Sequence, residues 1–369
     1  MSKQIFNGVF QNKTVLVTGH TGFIGSWLTL WLKQLDANVI GYSLKPPTEP
    51  SLFDILDIKK GITNVISDLR DKEKLSSIIN EYKPEIVFHL AAQPLVRESY
   101  EKPVETFEVN VIGTANLLQA IRNSSVKSAV IMTSDKCYNN RIENKMHIET
   151  DPMGGSDPYS ASKGAAELVT SSFRDSYFDK ENNRVEISTV RAGNILGGGD
   201  WAKDRIIPDC IRSWSSGNPA QLRNPNATRP WQHVLEAVGG YISLAINLMQ
   251  NKNLHGESFN FGPSLSKEYS VLELVKAMSK NWENVSWKLV SKKKKNFFES
   301  GLLRLNCNKA KKILKWKSVL KFEENVEFVA DWYRNYYLNY KNINYFTERQ
   351  IKKYQLLAYK RGFKWAKPF

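Results

Sequence analysis

Val15-Leu16-Val17 runs straight into Thr18-Gly19-His20-Thr21-Gly22-Phe23-Ile24-Gly25, and Trp27, Leu28, Trp31 and Leu32 then recur at helical spacing. A short run of β-branched and aliphatic residues reads as a buried parallel strand. Strand, glycine turn and helix together are the setting of a dinucleotide fingerprint. The first glycine permits the tight turn. The second lets backbone approach a pyrophosphate. The third lets helix pack on strand, and the helix N-terminus faces the anion. The spacing is G-x-x-G-x-x-G rather than G-x-G-x-x-G. A glycine turn with no ligand has the same local sequence, so the rest of the chain has to decide.

Val39-Ile40-Gly41-Tyr42, Val65-Ile66, Ile86-Val87-Phe88-His89-Leu90 and Val130-Ile131-Met132 read as further strands, alternating with helical patterns to about residue 190. That alternation predicts an α/β fold with a doubly wound parallel (Rossmann) sheet. Ser258-Phe259-Asn260-Phe261 reads as a strand returning to the sheet, and after Pro263 the pattern turns to helices with short polar breaks. The expected organisation is a dinucleotide-binding part over 1–190, rejoined by 231–262. A smaller, mostly helical substrate-binding part follows over 191–369. Residues 194–230 are rich in Gly, Pro, Asn and Asp, loop material suited to a substrate site.

An acid at the end of the second strand would hold a ribose 2′-hydroxyl, whereas a basic residue there suits a 2′-phosphate. Ser43-Leu44-Lys45 stands there instead, which leaves NAD and NADP both open. Asp68 ends the third strand. It reads equally as an acceptor for the adenine amino group and as a turn or cap aspartate before the next helix. The small residues of Leu90-Ala91-Ala92 allow close approach of a ribose. His89 reads as a packed strand histidine.

Tyr159 and Lys163 are four apart in Tyr159-Ser160-Ala161-Ser162-Lys163 and share a helix face. A free phenol, with a pKa near ~10, is a poor base at neutral pH. A neighbouring ammonium and a positive nicotinamide favour the phenolate. Ser134 ends the fifth strand, and Asp135-Lys136 lies just beyond it, where ligands bind in open α/β sheets. With the glycine turn, these residues point to oxidation of an alcohol.

Thr133-Ser134-Asp135-Lys136-Cys137-Tyr138, Asp157-Pro158-Tyr159-Ser160, Arg191-Ala192-Gly193-Asn194, Gly197-Gly198-Gly199-Asp200-Trp201-Ala202, Asp204-Arg205-Ile206-Ile207-Pro208-Asp209 and Arg229-Pro230-Trp231-Gln232-His233-Val234 complete the set. Over about residues 10–358 the chain resembles the extended short-chain dehydrogenase/reductases, and within them the nucleotide-sugar dehydratases of the CDP-glucose 4,6-dehydratase branch. Ser-Asp-Lys and Arg-Pro-Trp-Gln-His are the more specific stretches. Ile24 stands where this branch often has lysine. Lys136 stands where related dehydratases have glutamate and the CDP-glucose branch has lysine.

The resemblance implies NAD held by Gly19, Gly22, Phe23, Ile24, Gly25, Asp68, Leu69, Leu90, Ala91, Ala92, Tyr159 and Lys163. It implies CDP-glucose as substrate, with Gln93, Asn194, Arg205, Arg229 and His233 as contacts. Arg205 and Arg229 are the diphosphate and ribose candidates, since a planar guanidinium suits phosphate oxygens. His233 is open between a substrate contact and a structural hydrogen bond. In the implied reaction Tyr159 deprotonates the C4 hydroxyl while hydride leaves C4, water is lost across C5 and C6, and hydride returns to C6. Ser134 binds the C4 oxygen and Asp135 protonates the leaving hydroxyl. Lys136 either removes the C5 proton or only pairs with Asp135 and steadies the enolate. A nucleotide-sugar 4-epimerase, or a dehydratase of another nucleotide-sugar, is the competing reading. A homo-oligomer is expected, and the isolated cysteines and the lack of a signal-peptide core point to the cytosol.

Hydrophobic residues are 41% and charged residues 24% of the 369, ordinary for a globular enzyme. No apolar run reaches membrane-spanning length, and Met1 to Lys13 lacks a signal-peptide core. Cys137, Cys210 and Cys307 are isolated, with no C-x-x-C and no metal spacing, so no metal is expected. The net charge of +15 suits diphosphate ligands. Lys292 to Lys295 reads as a solvated loop. Tyr336, Tyr337, Tyr340, Tyr354 and Tyr359 interleave with Lys and Arg and so raise nucleic acid as a rival partner. Phe328, Trp332 and Tyr336 at helical spacing favour core packing instead, and intact Tyr159 and Lys163 argue against a non-catalytic dinucleotide sensor.

Overall fold

A computed structural model describes residues 2–139, 145–178, 185–264, 268–282, 285–290, 303–338 and 340–367. The lysine run over 292–295 lies outside them. Seven strands form one parallel sheet. They are β1 (Thr14–Thr18), β2 (Asn38–Ser43), β3 (Thr63–Ile66), β4 (Ile86–His89), β5 (Ser128–Met132), β6 (Glu186–Ala192) and β7 (Ser258–Phe261). Their order is β7-β6-β5-β4-β1-β2-β3, with every neighbouring pair parallel. The chain winds outward from β1 to β3, then returns to β4 on the other side of β1. The loops leaving β1 and β4 therefore diverge, and a crevice opens at their carboxyl ends.

The main helices are α1 (Phe23–Gln34), α2 (Lys72–Tyr82), α3 (Gly113–Ile121), α4 (Pro158–Phe173), α5 (Ile206–Ser215), α6 (Val234–Gln250), α7 (Val271–Ser279), α8 (Phe322–Leu338) and α9 (Ile343–Lys360). Side chains alternate across a strand. Val15 and Val17 face the core built with α1, α6 and α8, and Leu16 faces the second core, built with α2 and α3. The sheet is thus covered on both faces, which is why β1, β4 and β5 read as nearly continuous apolar runs.

Residues from both ends of the chain share the larger core. Trp27 and Trp31 of α1 lie in it with Phe328 and Trp332 of α8 and Tyr354 of α9. Glu236 of α6 fastens the segment before α8, accepting from the Val319 and Leu320 backbone N–H groups at 2.6 to 3.0 Å and from the Tyr354 hydroxyl at 2.9 Å. Tyr336 lies flat on Trp332 with ring centroids 5.6 Å apart, and Tyr354 is buried, as core packing requires. Tyr337, Tyr340 and Tyr359 are exposed. Among the described residues no helix is long and apolar enough to cross a membrane.

Candidate active site

The glycine turn is closed by backbone. Gly19 has φ +76°, and the Gly22 N–H donates to its carbonyl at 3.1 Å. A Cβ on Gly19 would lie 2.7 Å from the Ala91 nitrogen, and one on Gly25 would lie 2.0 Å from the Gly19 oxygen. Both positions exclude any side chain. Gly22 is the N-cap of α1 and no side chain caps it, which leaves first-turn N–H groups for an anion. These residues fit a dinucleotide pyrophosphate. Thr18 Oγ1 accepts from the Leu90 and Ala91 N–H groups at 3.2 Å, so the β1 and β4 loops are drawn together.

His89 is buried and spent on structure, bonding Thr18 at 2.7 Å and Thr114 at 3.0 Å, and burial pushes its pKa down to about 3. Phe23 packs under the 197 loop, where a Cβ on Gly197 would lie 2.8 Å from its ring. Ile24 is half-buried and Leu69 buried. Asp68 is held by Arg70 through its backbone N–H and guanidinium, which keeps the carboxyl below its usual range. At the end of β2, Thr21 Oγ1 donates to the Leu44 carbonyl at 2.8 Å and lies 2.9 Å from the Ser43 hydroxyl, while Lys45 is exposed.

Asp157 caps α4, accepting from the Ser160 N–H at 2.9 Å, and this cap puts Tyr159 and Lys163 on the buried stripe. Tyr159 is 8% exposed, and its backbone N–H is held by the Ser99 hydroxyl. Burial pushes the phenol up to about 12, against the Ser134 hydroxyl hydrogen-bonded to it and the positive charge of Arg205. Arg205 is thus a cation that acts on the phenol. Lys163 is itself buried, and loss of hydration drops it to about 8. Ser134 links the two acids of the site, since its Oγ also bonds Asp135 Oδ1 at 3.0 Å. Asp135 begins a 3₁₀ turn, Asp135–Cys137. Burial raises its pKa, opposed by Lys136, Ser134 and Arg229. Lys136 is half-buried beside it.

Three supports carry little signal in the sequence. Glu167 is the next residue on the Tyr159–Lys163 stripe, and Arg191 of β6 grips it through two parallel bonds of 2.8 Å. Thr133 and Thr189 donate to the same carboxylate. This buried pair seats α4 on β5 and β6, and it joins residues far apart in the chain. Asn110 lies in a π-helical turn, Glu108–Ile112, a deviation that often marks functional sites. Its side chain bonds the Gln93 backbone and the Ser162 hydroxyl, tying the β4 loop to α4. Gly193 lies directly against Asp135: a Cβ there would be 2.0 Å from Oδ2. Its place in Arg191-Ala192-Gly193-Asn194 was a signal, but the partner it makes room for was not readable.

The candidate substrate residues divide. Arg205 is 37% exposed, is steadied by Asp200 at 2.8 Å, and acts on Tyr159. Arg229 is half-buried and close enough to act on Asp135. Asn194 takes a left-handed φ of +52° and accepts from the Gln232 N–H. Gln93 is folded onto its own loop, donating to the Leu95 carbonyl and Thr106. His233 is fully buried, caps α6 through Nδ1, and lies among Trp27 and Phe328, with a pKa near 3. Of its two readings, the structural hydrogen bond is the one present. Among the described residues no cluster of His, Cys, Asp or Glu could hold a metal ion.

Residues 16–329 match the model of the GDP-mannose 4,6 dehydratase family. The chain belongs to that family. A curated relative, the CDP-glucose 4,6-dehydratase of Salmonella typhimurium, is 47% identical over 330 residues, covering 88% of this chain and 91% of that protein. Among solved structures, a dTDP-glucose 4,6-dehydratase from Bacillus anthracis in complex with NAD shares the fold at a TM-score of 0.73 and 20% identity, over 90% of this chain and 99% of the other. A UDP-glucose 4-epimerase from Thermotoga maritima gives 0.74 and 22%, over 87% and 99%. Dehydratases and epimerases of this fold thus share the scaffold, and the difference between their reactions has to lie in side chains.

Proposed function

We infer that this chain carries out the reaction of a CDP-glucose 4,6-dehydratase, an NAD-dependent hydro-lyase that converts CDP-D-glucose to CDP-4-keto-6-deoxy-D-glucose. The observation that carries this reading is the Ser134 hydroxyl, which bonds the Asp135 carboxyl at 3.0 Å and acts on the Tyr159 phenol. A base for the C4 hydroxyl and an acid for C6 then stand one hydroxyl apart. Epimerisation at C4 needs no acid at C6. The strong likeness to the Salmonella protein supports the nucleotide assignment.

Bound in the cradle, NAD supplies the acceptor for the C4 hydride and the donor that returns it to C6. The chain's own residues do the rest. Tyr159 takes the proton of the C4 hydroxyl while Ser134 holds that oxygen. Lys163 orients the ribose and keeps positive charge near the phenol. The 4-ketone acidifies C5, whose proton goes to Lys136. Asp135 donates its proton to the C6 oxygen as the C–O bond breaks, and the electron pair left at C5 forms the C5–C6 double bond. Burial of Asp135 favours the protonated form that this step requires. Arg205 and Arg229 hold the diphosphate and ribose, and burial of Ser134, Asp135, Tyr159 and Lys163 keeps bulk water from the reacting groups.

Incubation with CDP-glucose and NAD tests the reading, with the 4-keto product followed by its absorbance in alkali. UDP-glucose and dTDP-glucose run in parallel. The CDP sugar is expected to react fastest, with no net accumulation of reduced cofactor. A C4 epimer as sole product, or faster turnover of another nucleotide-sugar, would overturn it.

A further inference from the structure

Gln232 lies behind Asp135 and the mechanism above leaves it without a task. It is 2% exposed and pairs in a short parallel ladder with Ile195. Its Nε2 donates to two carbonyls at 3.0 Å, those of Gly193 just beyond β6 and Phe261 at the end of β7. Two carbonyl acceptors fix which end of the amide is nitrogen, since the reverse orientation would set oxygen against oxygen. The amide oxygen is then left over. Oε1 is buried and has no hydrogen-bond partner among the described residues. A buried acceptor without a donor is costly, so such a group asks for an explanation.

The side chain lines a cavity of about 10 Å³ together with Asp135, Gly193, Pro230, Phe261 and Pro263. That is room for about one water molecule. Gly193 is what lets the Asp135 carboxyl reach this side, because any Cβ there would strike Oδ2. Asp135 Oδ1 is already engaged by Ser134. Asp135 and Gln232 thus line one water-sized space, and Gln232 carries an unused acceptor.

We propose that this cavity is the seat of the oxygen that leaves C6, held between the Asp135 carboxyl and Gln232 Oε1. The proposal rests on the dehydratase reading and adds a residue to it. In the elimination, the Asp135 proton moves to the C6 oxygen, the C6–O bond breaks with its electron pair going to that oxygen, and the C5 proton goes to Lys136. The departing group is now a water with two hydrogens to donate. Gln232 Oε1 accepts one of them, already while the group is still the C6 hydroxyl. An amide oxygen suits the task because it accepts without competing for the Asp135 proton. In the resting protein an ordinary water stands in the same place.

Crystals of the NAD-bound protein test the position directly. An ordered water is expected within hydrogen-bond reach of both Asp135 and Gln232 Oε1. The 4-deoxy-4-fluoro analogue of CDP-glucose keeps its C6 hydroxyl but has no C4 hydroxyl to oxidise, and its C6 oxygen is expected to replace that water. A C6 oxygen bound elsewhere, with Oε1 untouched, overturns the proposal even if no variant folds. Gln232→Met provides the kinetic arm. The elimination is expected to slow roughly tenfold, because the bond to Oε1 strengthens as the oxygen gains its second proton, while C4 oxidation stays near wild type. Equal slowing of both steps, or a rise in KM alone, would reduce Gln232 to a clamp between β6 and β7 and defeat the proposal. If the wild-type protein forms no 4-keto sugar at all, the dehydratase reading has failed instead.

Discussion

Tyr159 and Lys163 stand on α4, a helix of 16 residues whose next turn is locked to β6 by Glu167 and Arg191. Asp135 stands on a 3₁₀ turn of three residues, backed by Gly193 from a loop and by Gln232 and Arg229 from two-residue strands. One hydroxyl, that of Ser134, joins the two sides. The side proposed for oxidation is therefore positioned by regular structure and a buried ion pair. The side proposed for elimination is positioned by the absence of a side chain at 193 and by single hydrogen bonds. The first is expected to lose activity only when its reacting groups change. The second is expected to respond to a single methyl group.

Tyr159→Phe strikes hardest. It removes the base for the C4 proton, and turnover is expected to fall ~10²–10⁴-fold with no reduced cofactor formed. Normal turnover by this variant would break the comparison at once.

Gly193→Ala comes next. The added Cβ meets the movable end of Asp135, so the protein is expected to fold while the carboxyl is displaced. A displacement of this kind costs about 10²-fold. The loss is expected in elimination alone, seen as reduced cofactor accumulating during turnover. Loss of both steps together would mean that the two sides are not separable.

A smaller effect follows from pH. The Tyr159 phenol, pushed up to about 12 before cofactor binds, must lose its proton to act, so oxidation speeds up as pH rises. Asp135 must keep its proton, so elimination slows as pH rises through its elevated pKa. Lys136, Arg229, His147, Cys137 and Tyr241 face Asp135, and Arg205 and Asp157 face Tyr159. Burial holds His147 low and Cys137 and Tyr241 high, so those three keep their charge state near neutrality. The steady-state fraction of reduced cofactor, read by absorbance across a pH series, is expected to rise as pH is raised through the elevated Asp135 pKa. A fall over that range would reverse the assignment of base and acid.

Glu167→Gln has the least effect on chemistry. It leaves the buried Arg191 charge uncompensated and is expected to cost roughly 3–5 kcal/mol of stability in denaturant unfolding. The ratio of the two chemical steps is expected to stay near wild type in the protein that remains folded.

The same contrast decided what was legible in the sequence. The glycine turn was readable because its job is done by backbone: Gly19 and Gly25 are glycines since nothing else fits, and the spacing records that. Tyr159 and Lys163 were readable because one helix carries both. β7 was readable from the alternation of Ser258-Phe259-Asn260-Phe261. Glu167 with Arg191, Gly193 with Asp135 and Gln232 with two strand ends were not, since each joins segments whose separation the fold alone sets. Arg205 also acts on the phenol, a contact between the loop after β6 and α4 that no local pattern records.

The central claim is a division of labour across Ser134, and Asp135→Asn tests it most directly. The substitution keeps the size of the side chain and removes its acid proton. Stopped-flow absorbance in the reduced-cofactor band, after mixing with CDP-glucose, separates the steps. The account predicts that reduced cofactor forms at close to the wild-type rate and then persists, with 4-keto sugar trapped on the enzyme and product release slowed ~10²–10⁴-fold. If the variant binds substrate yet forms no reduced cofactor, as Tyr159→Phe is expected to do, Asp135 is part of the oxidation machinery and the division does not exist.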